Sequence, residues 1–176
     1  MSQFLIAQII GSIGVLFSLA VYQVNNRKHM LLLSMTATTL YAVSFVYLHA
    51  YTGALIDSIA AVQCYAFYRS KSIKQNMTVF VAFRAIAAVA TIVTWAGIIS
   101  LLPFIGSVIS GFASSQIKTK NIRRIALLSV PFWLSYAILV HSYPSIFIDI
   151  FVLCSNLLGQ YRFDKVVSTP VLRKVR

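Results

Sequence analysis

The chain has 176 residues, 59% of them hydrophobic and 10% charged, against about 25% charged in an ordinary globular domain. That leaves too little polar surface for a soluble domain and points to an all-α integral membrane protein, short enough to form one bundle. The net charge of +12 is carried in short clusters between apolar stretches, which marks membrane topology and contact with anionic lipid headgroups; no nucleic-acid partner is expected.

Seven apolar stretches follow in chain order, at about residues 4–23, 30–48, 53–69, 77–97, 100–117, 124–141 and 144–161. The first has no basic leader and no small-residue cleavage site, so it is expected to stay as a span rather than be removed as a signal peptide. NNRKH follows it. HAYTG closes the second, RSKSIK the third, AGIIS the fourth, KTKNIRR the fifth and HSYP the sixth. The seventh runs into the basic tail YRFDKVVSTPVLRKVR. Lysine and arginine clusters thus occupy alternate connections. By the positive-inside rule they face the cytoplasm, with the N-terminus outside and the C-terminus inside. The third and fifth stretches are short, which makes them the weakest members of the count.

Shifting the sequence by 92 positions aligns rare polar residues. Ile13-Gly14 falls on Ile105-Gly106, Ser18 on Ser110, Lys28 on Lys120 and Tyr41 on Trp133. His49, Tyr51, Ile56 and Asp57 fall on His141, Tyr143, Ile148 and Asp149; Arg69 meets Arg162 after a slip of one. Such matches in a Leu/Ile/Val background indicate an internal repeat. The boundaries read as a first three-helix bundle over 1–74, a linker helix over 75–99, a second three-helix bundle over 100–162 and a basic cytoplasmic tail over 163–176. Three spans plus a linker put both bundles into the membrane in the same direction, as parallel repeats.

The stretches GSIGVLFSLAVYQVNNRK and IGSVISGFASSQIKTK, with TGALID, SIFID and the arginines after spans three and seven, resemble the bacterial inner-membrane Imp-YgjV family within the SWEET/PQ-loop (MtN3-like) transporters. The resemblance covers nearly the whole chain. It implies a 3+1+3 arrangement of seven transmembrane helices working by alternating access. The proline of the PQ motif is missing: Tyr22-Gln23 and Ser115-Gln116 stand there. A gate or hinge at Gln23 and Gln116 follows from the resemblance alone. In SWEET transporters an aromatic on the second helix and an Asn on the third line the sugar pocket. That implies Tyr41, Asp57, Trp133 and Asp149 as substrate-binding residues, with Asp in place of Asn. Two carboxylates across a narrow cavity cannot comfortably both ionise, so the reading favours a cationic, amino-acid-like or hydroxyl-rich, sugar-like solute, or proton coupling.

The residues themselves leave alternatives. Asp57 and Asp149 also fit a first-turn carboxylate stabilised by the helix N-terminus, and Tyr41 and Trp133 also fit core packing. Arg84, inside span four, is expected to snorkel to the nearer headgroups; the other reading is a counter-charge to an anion in the pathway. His49 and His141 fit either the headgroup layer or a sensor of external pH. Cys64 and Cys154 read as small buried side chains, and Gly14, Ser18, Gly106, Ser110 and Gly111 as close-packing faces. The sequon at Asn76 is discounted because it falls on the cytoplasmic side. No metal-ligand spacing and no cofactor motif is present, and no enzyme is expected. The function expected is a small-solute transporter in the inner membrane, with a receptor or scaffold of the same fold as the alternative. One chain holds both halves, so one protomer suffices, and homo-oligomers stay open.

Overall fold

The protein is described here by a computed structural model covering residues 2–161. Arg162 and the expected basic tail lie outside the described residues. Among those described, the regular structure is helical: α1 (Gln3–Gln23), α2 (Arg27–Tyr47), α3 (Tyr51–Arg69), α4 (Ile73–Val93), α5 (Leu101–Ser115), α6 (Thr119–Ala126), α7 (Val130–Leu139) and α8 (Tyr143–Gly159). Side-chain caps start several of them, satisfying N–H groups that have no partner within the helix. Ser2 accepts from Leu5, Asn26 from Lys28 and Ser72 from Gln75.

Each of the seven apolar stretches meets one rod, the sixth being jointed. A 3₁₀ turn, Leu127–Ser129, separates α6 from α7. Pro131 explains the joint: it has no N–H to offer the Leu127 carbonyl, and its ring would collide with that carbonyl in a regular helix. α2 carries Thr39 at the matching place and runs unbroken. Five rods are long and apolar enough to cross a membrane: α1, α2, α4, α5 with its preceding 3₁₀ turn, and the jointed α6–α7. The other two are α3 and α8. α8 has 17 residues and α5 alone has 15, reaching 18 only with its 3₁₀ turn; the sequence had pointed to the third and fifth as the weak members, and α3 is the other rod outside the five.

α2 and α7 end alike. The N–H of Ala50 bonds to the carbonyl of Phe45 at 2.9 Å and that of His49 to Val46 at 3.0 Å; Ser142 bonds to Ala137 at 2.9 Å and His141 to Ile138 at 3.2 Å. Both are Schellman motifs, which need a left-handed residue just past the helix. His49 and His141 supply it, with φ of 56° and 54°.

The main helix contacts close a ring: α1 on α2, α2 on α3, α3 on α5, α5 on α6 and α7, α7 on α8, and α8 back on α1. α4 lies outside it, against α3 and α5. Large apolar side chains such as Leu16, Ile92 and Val93 face outward, as a lipid-facing surface requires. Helix contacts use small residues instead: Ala7, Ala37, Ala42 and Ser44 are buried, and the Ser44 hydroxyl donates to the Ala7 carbonyl at 2.8 Å.

Candidate functional site

A cavity of about 190 Å³ lies inside the ring. Every ring helix contributes to its wall, and α4 supplies none of the described wall residues. Tyr41, Asp57, Trp133 and Asp149 all border it.

The two aromatics are seated in the same way. A side chain at Gly14 would sit 3.1 Å from the Tyr41 ring, and one at Gly106 would sit 2.9 Å from the Trp133 indole nitrogen. A bare α-carbon on α1 therefore makes room for the aromatic on α2, and one on α5 for the aromatic on α7. The Tyr41 hydroxyl also meets the Ser18 hydroxyl at 3.2 Å.

Both aspartates come from the rods that fall outside the five candidate spans. α3 and α8 begin at Tyr51 and Tyr143, so each acid is the seventh residue of its helix, beyond the free N–H groups of the first turn. The first-turn capping explanation is therefore set aside. Asp57 is buried, Asp149 partly buried. Neither carboxylate has a hydrogen bond or ion pair among the described residues. Keeping such a group in an apolar interior costs several kcal/mol by transfer scales, and no packing role accounts for that cost.

Contacts between helices cluster at both ends of the ring. At the end bearing His49 and His141, Phe45 and Tyr136 are buried edge to face, ring centroids 5.6 Å apart, and the Tyr136 hydroxyl accepts from the Gly53 N–H at 3.0 Å. At the opposite, basic end, Val21, Met30 and Ile122 form a buried apolar cluster. Beside it Arg27 donates to the carbonyls of Gln116 at 2.9 Å and Phe67 at 3.2 Å. Asn25 accepts from Thr119 at 2.9 Å and from Arg123 at 3.0 Å.

A profile of Imp-YgjV, a bacterial inner membrane protein family, matches residues 5–166. The chain belongs to the Imp-YgjV family. No curated protein and no solved structure matches it. Family and fold together make this a bacterial inner-membrane protein with several membrane-crossing helices.

Arg84 of this Imp-YgjV protein does not snorkel. It is 9% exposed and turned inward between α3 and α5. One guanidinium nitrogen donates to the Ser107 hydroxyl at 2.7 Å and another to the Gln63 side-chain oxygen. Gly111 makes the fit: a side chain there would lie 3.3 Å from the guanidinium carbon and 3.1 Å from the Gln63 oxygen. The stem had a free route along lipid, but two good acceptors inside the protein outcompete it.

Gln23 and Gln116 part company. Gln23 reaches from α1 to α8, donating to the Ser155 hydroxyl at 2.8 Å and its carbonyl at 3.1 Å. Gln116 turns back on its own helix, to the Phe112 carbonyl at 3.3 Å. His49 and His141 are exposed at the helix ends, away from the cavity wall. Cys64 borders the cavity, whereas Cys154 is exposed on the outer face rather than buried. Asn76 is buried and donates to the Ser115 carbonyl at 2.7 Å, so its sequon serves packing between α4 and α5.

Gln63 and Tyr136 went unrecognised in the sequence. A lone amide in AAVQCYAF is a polar group inside a span, the same signal that picked out the aspartates. Tyr136 gave none, since one tyrosine among many apolar residues reads as packing.

Proposed function

We propose that this protein is a small-solute transporter that works by alternating access, its two halves rocking about the central cavity. The observation that carries the reading is two unpartnered carboxylates and two aromatics, one of each from either half, around one cavity inside the helix ring. Hydrogen-bonded contacts between helices near both ends give such a carrier links that can break on one side at a time. A 3+1+3 SWEET-like arrangement accords with the helix ring: exchanging α1 with α5, α2 with α6–α7 and α3 with α8 carries the ring of contacts onto itself. The basic connections support an outer N-terminus and a cytoplasmic C-terminus. Tyr41, Asp57, Trp133 and Asp149 would hold the solute, and the carboxylates would also serve proton coupling. Transport is favoured over catalysis because the acids stand alone, with no nucleophile or acid–base partner bonded to them.

The test is a thermal-shift screen of amines, amino acids and sugars on the purified protein, then flux of the best binder in proteoliposomes with and without a pH gradient. Saturable flux that Asp57→Asn or Asp149→Asn abolishes supports the proposal. Tight binding with no flux at either pH points instead to a receptor. Flux indifferent to the gradient and to both substitutions removes the carboxylates from the mechanism.

A further inference from the structure

Gln63 is 2% exposed, borders the cavity, and its side-chain nitrogen has no hydrogen-bond partner among the described residues. Its orientation is not arbitrary. A guanidinium can only donate, so the Gln63 atom facing Arg84 must be the oxygen. Arg84 therefore fixes the amide with its two N–H donors directed away, and those donors are the ones left unmet. A buried, unmet donor pair costs about 1–3 kcal/mol and is kept where something else satisfies it. Arg84 adds a full positive charge directly behind the amide, with no ion-pair partner among the described residues. Asp57 lies six residues earlier on the same helix, about 9 Å along the axis. Acidic groups thus stand at one level of the cavity wall, and a buried, unmet donor pair backed by positive charge stands in the wall at another.

We infer that the cavity selects an elongated zwitterion, a solute with an ammonium group at Asp57 and Asp149 and a carboxylate or similar anion at Gln63, backed by Arg84. The class is that of ω-amino acids and basic amino acids. The inference rests on the reading of the cavity as a solute site and adds the polarity of the solute to it. Arg84 acts through Gln63, as a positioning residue; Gln63 makes the contact.

The experiment measures thermal shifts of the purified full-length protein with 6-aminohexanoate, 6-aminohexanol, 6-hydroxyhexanoate and glucose. The zwitterion is expected to half-saturate at a concentration at least tenfold below either singly charged probe. Gln63→Leu is expected to bring 6-aminohexanoate down to the level of 6-aminohexanol. Arg84→Lys, which keeps the charge but releases the amide, is expected to give an intermediate loss and serves if Gln63→Leu does not fold. Equal responses to zwitterion and aminoalcohol, an advantage that survives both substitutions, a response to glucose alone, or no response to any probe would each overturn the inference. Flux of glucose without zwitterion binding would leave transport standing and sink only the zwitterion. Binding of 6-aminohexanoate without its flux would do the reverse.

Discussion

Gly106 holds its place because Trp133 occupies the space where a side chain would go: a methyl group there would come within 2.9 Å of the indole nitrogen. Real side-chain carbons do not approach so closely, so the indole must move. Gly106→Ala is expected to cost about 1–3 kcal/mol and to shift the emission of Trp133, read in a Trp95→Phe background. Gly14→Ala, with 3.1 Å to the more adaptable Tyr41 ring, is expected to cost less. Equal melting points for all three proteins would show that the glycines do not seat the aromatics.

Asp57 and Asp149 are expected to lower stability for the sake of function. Replacing either by Asn keeps the shape and removes an acid whose ionised form has no partner, so each variant is expected to melt higher than the natural protein at neutral to alkaline pH. Because both acids face one cavity, the double variant is expected to gain less than the sum of the two. A fall in melting point on either single substitution would mean the carboxylates have partners that matter to the fold.

His49 and His141 sit in a left-handed backbone conformation that glycine adopts more readily. His49→Gly and His141→Gly are expected to be neutral or stabilising, by up to about 1 kcal/mol. Valine at either position is expected to destabilise the helix end. If the glycine variants also keep the pH profile of solute flux, the histidines serve as helix terminators and nothing else. A profile displaced by either variant would restore a sensing role.

Tyr136→Phe removes the bond to the Gly53 N–H and leaves that donor buried. A loss of about 1–3 kcal/mol is expected, with faster modification of Cys64 by a water-soluble thiol reagent as the contacts at that end loosen. Gly53→Ala is expected to be worse, since its methyl group would approach the tyrosine ring to 2.6 Å. Labelling of Cys64 unchanged in both variants would argue that the cavity opens elsewhere.

The positions of the rods were legible because hydrophobic length alone decides where a chain crosses a bilayer. The aspartates stood out because a charge in that setting is rare. What lay beyond the sequence was direction. Arg84 had two ways to satisfy its charge, and only the neighbouring Gln63, Ser107 and Gly111 decide between them. The histidines looked chemical because their residue type is reactive, yet their matched positions follow from the backbone turn they complete. The two glutamines occupy similar places in sequence and differ because only Gln23 has a hydroxyl within reach on a facing helix.

The joint beside Pro131 makes the two long walls of the cavity mechanically unequal. α2 is a continuous rod and can bend only by breaking bonds along its own ladder. The helix opposite it already has a missing rung at Leu127–Ser129, so α7 can swing while α6 stays docked on Asn25. Bending is thereby easiest on the α6–α7 side of the cavity. The bundle thus combines a stiff rod with a jointed one, and any bending of its wall is easiest at the joint.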